Sequence, residues 1–406
     1  MSSEAPGAKA GARDASGRPR LHLDHNAGGR VRPEVAAALA EWLGRDAANP
    51  SSLHAAGRRA RAAVEEARER VAALVGAEPA EIVFTSGGTE ANALALAGSL
   101  GRGARSVTTE IEHVSVLGTL ERLARERGVE VRRVAPDPEG WIGAAALAAA
   151  LDRGVALVSI GWANGEVGTI QPIAELAAVI RDLAPGALLH ADAVQAVGLC
   201  RVDVRAADLD LLSLSGHKIG ALPGVGALFV RRGLGLEPLW GGGPQERERR
   251  PGTENVPGIV SLGLAAEIAR REREGWARRA ARLREGLWRG LAERAAPVRR
   301  LGPADGDGLP STLSVSFLGL RGDALVVALD LEGVAASTGS ACAAGAAEPS
   351  HVFRALGLGE EVAAGALRLS FGPELSERDV GLAIDRIAAV VARARRAPGS
   401  VGGRAA

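Results

Sequence analysis

The sequence predicts an α/β protein, with a large domain built on a mostly parallel sheet and a smaller α+β domain after it. Three observations support this prediction. Strand-like and helix-like segments alternate from residue 81 to residue 230. Polar side chains recur where those strands end, and the composition changes after three glycines at residues 241–243. The 406 residues, 47% of them hydrophobic, are enough for both domains.

The elements of the large domain follow from hydrophobic periodicity and turn residues. We expect strands at residues 20–26, 81–85, 106–109, 129–135, 155–162, 188–191, 209–215 and 226–230. We expect helices at residues 33–44, 57–75, 91–100, 114–127, 144–151 and 173–184. The charges of the second helix indicate a solvated face and not a binding patch: Arg61, Glu65, Glu66, Arg68, Glu69 and Arg70.

The domain boundary is expected inside a long helix at residues 259–291. A strand at 311–317, a helix at 323–331, a loop at 337–350, a strand at 366–371 and a helix at 377–395 complete the smaller domain. We therefore assign residues 1–20 to a disordered leader, 21–270 to the large domain, 271–396 to the small domain and 397–406 to a flexible tail. The first residues after the leader could also join the small domain.

Composition excludes several classes of function. The formal net charge of +1 provides no basic field for nucleic acid. No apolar run approaches the roughly 20 residues that span a bilayer, and the leader has no apolar core like that of a secretory signal. Two cysteines, Cys200 and Cys342, cannot form a disulfide framework and indicate a reducing compartment. We expect a cytoplasmic protein that binds neither membrane nor nucleic acid directly.

Lys218 is the residue around which the candidate site is organised. It is the only lysine apart from Lys9 in the leader, because arginine supplies positive charge elsewhere. A lysine amine can lose its proton and form an imine with an aldehyde, whereas a guanidinium cannot. An ordinary surface lysine is the alternative. However, Lys218 follows the buried strand at 209–214, and α/β folds place their chemistry beyond the carboxyl ends of strands.

An aldehyde cofactor with a phosphate tail, such as pyridoxal phosphate, would need further partners. The strand, small-residue turn and helix around Gly88 and Thr89 could bind its phosphate, although this signal is weak alone. Asp192, at a buried strand end, would suit the cationic ring nitrogen. Each polar strand-end residue could also be a helix cap or a core hydrogen-bonding group. Several of them at one sheet edge favour a single crevice.

These residues lie in motifs that resemble the pyridoxal-phosphate-dependent cysteine desulfurases of the iron–sulfur-cluster and nitrogen-fixation type, within the class V aminotransferases. The motifs are LDHNA, NPSSLHAAG, TSGGTEAN, EH at 112–113, ANGEVGTIQPI, HADAVQAVG, SGHKIGALPGVGAL, RRPGTEN, STGSACAAGAAEPSHVFRALGL and LRLSFG. The resemblance runs from residue 23 to about residue 395. It implies the fold of type I pyridoxal-phosphate transferases, whose large domain has a mostly parallel seven-stranded sheet.

The resemblance also implies roles for individual residues. Lys218, Cys342 and His113 would be catalytic, and Asn164 and Arg368 would bind the substrate carboxylate. The cofactor would contact Gly88, Thr89, His113, Asn164, Asp192, Gln195, Ser215, His217, Lys218 and Thr253. Thr253 would reach the neighbouring subunit of a homodimer with shared active sites. No resident metal is implied, although Cys342 could contact a cluster transiently.

Cys342 would be the nucleophile that distinguishes this family from plain aminotransferases. By itself it is equally compatible with a buried structural thiol. In the family it would take sulfur from L-cysteine, release L-alanine and pass the persulfide to protein acceptors such as an iron–sulfur scaffold. The sequence departs from the family pattern at Ala27 to Arg30 and at Gly165, and it contains no tyrosine. These departures affect the substrate affinity that the resemblance implies. A selenocysteine lyase, another class V enzyme or a non-catalytic scaffold remain the alternatives.

Overall fold

A computed structural model describes residues 19–44, 48–304, 307–339 and 350–397. Its strands are β1 (Leu21–His22), β2 (Ile82–Thr85), β3 (Arg105–Thr109), β4 (Glu130–Val134), β5 (Val155–Gly161), β6 (Leu188–Asp192), β7 (Leu211–Ser215), β8 (Gly226–Val230), β9 (Val298–Leu301), β10 (Thr312–Phe317), β11 (Val334–Ala335) and β12 (Ala366–Ser370). Its α-helices are α1 (Pro33–Leu43), α2 (Ala55–Val75), α3 (Gly88–Ala97), α4 (Val114–Arg127), α5 (Ala144–Ala150), α6 (Ile173–Leu183), α7 (Val256–Arg294), α8 (Gly322–Leu331), α9 (His351–Ala355), α10 (Glu360–Ala364) and α11 (Glu377–Arg396).

The large sheet has seven strands in the order β2-β8-β7-β6-β5-β3-β4. Only β8 runs against the others, because it pairs antiparallel with both β2 and β7. The prediction of a mostly parallel seven-stranded sheet is therefore confirmed. The register places Gly161 of β5 opposite Asp192 of β6, and Asp192 opposite Ser213 of β7. The carboxyl ends of β5 and β6 are thus level, and β7 extends two residues further, to Ser215.

A buried histidine links these three central strands below their carboxyl ends. The two ring nitrogens of His190 on β6 lie 2.9 Å from Ser159 Oγ on β5 and 3.0 Å from Ser213 Oγ on β7. Burial lowers the pKa of His190 to about 4, so the ring is neutral at pH 7. A neutral imidazole can hydrogen-bond two hydroxyls without placing a charge in the core.

Both faces of the sheet are covered by helices, and its strands are buried on both sides. Successive residues of a strand point to opposite faces, so Leu157 packs against α3 and α4 while Val158 packs on the side of α2, α6 and α7. This double burial explains why the central strands are continuous apolar runs and do not alternate. It also leaves their carboxyl ends as the place where polar side chains are accessible.

The C-terminal unit is an antiparallel sheet of β12, β10 and β9, packed against α8 and α11. Helix α7 joins the two units. Its buried residues up to Ala269 belong to the large core, and those from Ala280 onward belong to the second core. β1 pairs with β11 and packs on the second core. The division near residue 270 stays our interpretation, and this packing is its physical basis.

Several local expectations were wrong. The strand expected at residues 20–26 is reduced to β1, because the backbone turns at Asp24 and the Ala27 amide donates to the Asp24 carbonyl. The short elements β9, β11, α9 and α10 were not predicted. Such short segments carry too few residues for a clear period, and their positions depend on packing against the small sheet. Part of the loop expected at residues 337–350 lies outside the described residues.

The face of α2 that was predicted to be solvated contains a buried arginine. The Arg68 side chain is 2% exposed and donates to both carboxylate oxygens of Glu246 at 2.8 Å. It also donates to the carbonyl of Ile82, and its guanidinium lies 4.7 Å from the centre of the Phe84 ring. Glu246 adopts a left-handed backbone conformation with φ of 47°. The pair anchors the connection after residue 244 to β2.

Replacing Arg68 with alanine should destabilise the fold by about 3–5 kcal/mol, because Glu246 would become a buried charge without a cation, although the Phe84 amide would still donate to it. Urea-induced unfolding measures the change. The control is Arg70→Ala on the same helix, where the partner Glu66 is exposed, and its cost should be below about 1 kcal/mol. Equal losses in the two variants would show that the Arg68 pair does not anchor the fold.

Candidate active site

A cavity of about 270 Å³ opens at the carboxyl edge of the central strands. Its lining includes ten of the residues selected from the sequence: Gly88, Thr89, His113, Asn164, Asp192, Gln195, Ser215, His217, Lys218 and Arg368. The exposed Thr253 does not line the cavity of its own chain. Cys342 lies outside the described residues. The fold therefore gathers the candidate residues of six separate sequence motifs around one space.

Lys218 enters the cavity at the end of a short turn after β7. The strand is fully buried, and the turn Gly216–Lys218 brings the amine back toward the N-terminal segment. Nζ donates to the carbonyl of Ala27 at 2.9 Å and to the carbonyl of Asn26. The Asn26 carbonyl also accepts from Gln195 Nε2 at 3.1 Å. The Asn26 carbonyl oxygen therefore positions both the Lys218 amine and the Gln195 side-chain amide.

Asp192 ends β6 and is buried. Its Oδ2 accepts from Asn92 Nδ2 at 2.7 Å, and its Oδ1 accepts from the backbone amide of Val194 at 2.9 Å. Asn92 was not selected from the sequence, although it is part of the TSGGTEAN motif. Its position in α3 makes its side chain point toward β6, and this depends on long-range packing that the motif alone does not reveal.

The turn before α3 and the turn after β7 face each other at one end of the cavity. A Cβ added at Gly88 would lie 2.6 Å from Val194 Cγ2, so this position has no space for a larger residue. Ser215 Oγ lies 3.0 Å from His217 Nδ1. Burial, with Lys218 nearby, lowers the pKa of His217 to about 4, and its ring is neutral at pH 7. Together with the amino end of α3, these groups provide donors for an anion.

Arg368 lies on β12 and is only 4% exposed. Its guanidinium donates to Asp24 Oδ1 at 2.7 Å and to the carbonyls of Gly165 and Gly339. Asn164 Oδ1 accepts from the amides of Glu166 and Val167, so this residue also shapes the turn that carries Gly165. The sequence did not identify Asp24 as a partner of Arg368, because 344 residues separate them.

His113 is the N-cap of α4. Its Nδ1 accepts from the Ser115 backbone amide at 3.1 Å and lies 2.7 Å from Ser115 Oγ. Burial lowers the pKa of His113, and the nearby Asp192 opposes that shift. The ring is therefore neutral at pH 7. Ser115 is another cavity residue that the sequence did not indicate, since its role depends on the cap geometry.

Glu112 is a buried carboxyl group that also lines the cavity. Its side chain is 2% exposed, and Oε1 accepts from Thr109 Oγ1 at 2.7 Å and from the Gly161 amide at 2.9 Å. Burial raises its pKa to about 8 against the effect of these two bonds, and Asp192 adds to the rise. Oε2 has no partner among the described residues. Both contacts at Oε1 are donated by the protein, so a proton on the neutral acid would lie on Oε2.

Cys200 is partly buried against the large core, and burial raises its thiol pKa to about 12. The described ranges contain no cluster of three or more His, Cys, Asp or Glu side chains that could hold a metal ion. They also contain no helix that is long and apolar enough to cross a membrane.

The family profile of the class V aminotransferases matches residues 21–382, and the chain belongs to this family. Within it, the chain belongs with the cysteine desulfurases. It is 43% identical over 380 residues to the cysteine desulfurase of Gluconacetobacter diazotrophicus, covering 92% of this chain and 94% of that one. It is 43% identical over 385 residues to the IscS-like cysteine desulfurase of Mycobacterium tuberculosis, with coverages of 93% and 97%.

Solved structures agree with these relatives. A NifS-like protein superposes with a TM-score of 0.86 at 34% identity, covering 92% of this chain and all of that chain. SspA, determined in complex with cysteine, gives a TM-score of 0.76 at 32% identity, with coverages of 87% and 99%. The family and the fold predicted from the sequence motifs are therefore confirmed.

Replacing Glu112 with glutamine should stabilise the cofactor-free protein progressively as the pH rises. The wild-type carboxyl keeps its proton up to about pH 8 when folded but loses it near pH 4.5 when unfolded. The folded state therefore loses stability between these values, by about 3–5 kcal/mol in total. Urea unfolding at pH 5.5, 7 and 8.5 measures the difference. Exposed Glu69→Gln is the control, and parallel pH profiles for wild type and Glu112→Gln would contradict the expected burial.

Proposed function

We propose that this protein is a pyridoxal-phosphate-dependent cysteine desulfurase that converts L-cysteine to L-alanine and retains the sulfur as a persulfide on Cys342. The observation that carries the proposal is the convergence of Lys218, Asp192, His113 and Arg368 on one cavity. Lys218 is the only lysine outside the leader, and its side chain lines the cavity. Membership among the cysteine desulfurases supports the choice of substrate.

The cavity residues fit pyridoxal phosphate. The donors at Thr89, Ser215 and His217 would hold its phosphate, and the Asp192 carboxylate would balance a cationic ring nitrogen. Two buried polar atoms in the lining, Asn92 Oδ1 and Glu112 Oε2, have no partner among the described residues and are therefore available to a polar ligand. When bound, the cofactor supplies an electron sink for negative charge at the substrate α-carbon.

The protein residues bind and orient the substrate and move its protons. Arg368 and Asn164 would bind the cysteine carboxylate, and the Lys218 amine would take the α-proton at Nζ. The Cys342 thiolate would attack the substrate sulfur. The sulfur–sulfur bond forms as the bond between the substrate β-carbon and its sulfur breaks, and the β-carbon keeps the electron pair. The β-carbon then gains a proton equivalent to that of the substrate thiol, and the α-carbon regains its proton from Lys218 Nζ, to give alanine. The persulfide then passes to a protein acceptor.

We also propose a homodimer with shared active sites. Thr253 is exposed and lies outside the cavity of its own chain, as expected for a residue that completes the site of a second copy. Acceptors would include an iron–sulfur scaffold, and a cytoplasmic location would keep Cys342 reduced. No direct contact with nucleic acid is part of the proposal.

Replacing Lys218 with alanine should remove the visible yellow colour of the purified protein. It should also lower the rate of alanine production from cysteine by a factor of about 10³ or more. The amine is lost, and no other lysine is present in the described chain to replace it. Absorption spectra and an alanine assay measure the two effects. Lys9→Ala, which removes the only other lysine, is the control and should retain both. A coloured and active Lys218→Ala variant would refute the proposal.

Replacing Cys342 with alanine should abolish sulfide and alanine release while the yellow colour remains, because the cofactor site is intact but the sulfur acceptor is missing. Cys200→Ala is the matched control, since burial raises the pKa of this partly buried thiol to about 12 and its loss should not affect turnover. Unchanged sulfide release from Cys342→Ala would show that another group accepts the sulfur.

A further inference from the structure

A continuous series of hydrogen bonds connects Asp192 to His113 through two residues outside the proposed mechanism, Asn92 and Ser115. We infer that Asn92 and Ser115 are positioning residues that fix His113 as the tautomer with its proton on Nε2. His113 then presents a hydrogen-bond donor, and not a base, at that atom. The consequence for turnover rests on the proposed function, whereas the tautomer itself does not.

The orientation of the Asn92 amide follows from its neighbour. Asp192 Oδ2 lies 2.7 Å from Asn92 Nδ2, and an ionised carboxylate only accepts hydrogen bonds. The Asn92 nitrogen must therefore face Asp192. The same nitrogen lies 2.9 Å from Ser115 Oγ, so its second hydrogen is directed at the serine hydroxyl. Asn92 is 1% exposed, so its contacts with Asp192 and Ser115 are buried.

The direction of the Ser115 hydroxyl hydrogen follows in turn. Because Ser115 Oγ accepts from Asn92, its own hydrogen points toward another acceptor. His113 Nδ1 lies 2.7 Å from Ser115 Oγ and is such an acceptor. The hydroxyl therefore donates to Nδ1. A donated hydrogen bond requires a lone pair on Nδ1, and the proton of the neutral ring is then on Nε2.

A second donor contact, longer than that of the hydroxyl, favours the same tautomer. The Ser115 backbone amide donates to His113 Nδ1 at 3.1 Å, as part of the N-cap of α4. A backbone amide cannot reverse its direction, so it would oppose a proton on Nδ1. Burial lowers the pKa of His113, which keeps the ring neutral. Two donors from one residue therefore act on the same nitrogen.

This arrangement restricts what His113 does in the reaction. With a proton already on Nε2, that atom cannot accept another until the first has left. His113 would therefore begin turnover by donating a hydrogen bond to an acceptor in the cavity. The α-proton would be taken by the Lys218 amine. Asp192, assigned to the cofactor ring nitrogen, and His113 are then set by one shared network.

Nitrogen NMR of the cofactor-free protein with ¹⁵N-labelled histidine tests the inference directly. The chain has seven histidines, and His113→Gln identifies the signal of His113. Wild type should show a protonated Nε2 and an unprotonated Nδ1. Ser115→Ala loses the shorter donor contact and keeps only the amide contact of 3.1 Å, so a fraction of the Nδ1-protonated tautomer and a higher pKa for His113 should appear. Ser115→Thr keeps the hydroxyl and should restore the wild-type signals.

Ser106→Ala is the matched control, since Ser106 on β3 is a buried serine whose hydroxyl has no partner among the described residues. It should leave the His113 signals unchanged, and its melting temperature should be similar to that of Ser115→Ala. A protonated Nδ1 in wild type, or unchanged signals in Ser115→Ala, would overturn the inference.

Turnover provides a second measurement with the cofactor-loaded enzyme. Ser115→Ala should lower kcat about fivefold to tenfold, the value of one neutral hydrogen bond, and Ser115→Thr should recover it. Equal kcat values for Ser115→Ala and wild type would overturn the catalytic consequence. If wild type makes no alanine, the proposed function fails, but the NMR measurement still decides the tautomer.

Discussion

The geometry of the site depends on two hydrogen bonds made by the buried, neutral His190. It hydrogen-bonds Ser159 and Ser213 from the strand between them, and so holds β5, β6 and β7 side by side. Two residues further along β6 is Asp192, which the register aligns with Gly161 and Ser213. A slip of one residue would turn Asp192 into the opposite face of the sheet. The alignment of these three strands therefore sets the positions of the site residues that follow each of them.

The sequence predicted the parts of the fold and site that depend on local patterns. The buried runs, the turn residues and the position of Lys218 after β7 are all contained in short segments, and motif resemblance identified ten of the cavity residues. The sequence did not predict contacts between distant segments. Arg68 and Glu246 are 178 residues apart, and Asp24 and Arg368 are 344 apart. A charged residue in a helix has the same local pattern whether its partner is water or a buried carboxylate.

The N-terminal segment connects the two units at the site. The Asn26 carbonyl accepts from Lys218 and Gln195 of the large unit, while the Asn26 side chain donates to Gly165 and to Thr312 of the smaller one. Asn26 is buried, and its backbone amide, backbone carbonyl and side-chain nitrogen all have partners. Movement of the small unit relative to the large one would therefore disturb the surroundings of the amine directly.

The ion pair between Asp24 and Arg368 gives the cavity an internal competitor for its ligand. An arriving amino acid does not meet an unoccupied guanidinium, since a tethered carboxylate already accepts from it at 2.7 Å. In the proposed role of Arg368, the substrate carboxylate would share or replace that contact, and the gain in free energy would be the difference between two similar ion pairs. The contact with Asp24 holds Arg368 in place when no ligand is bound. In the proposed reaction it would also weaken the binding of small acids, so that a strong ionic contact would not slow the release of alanine.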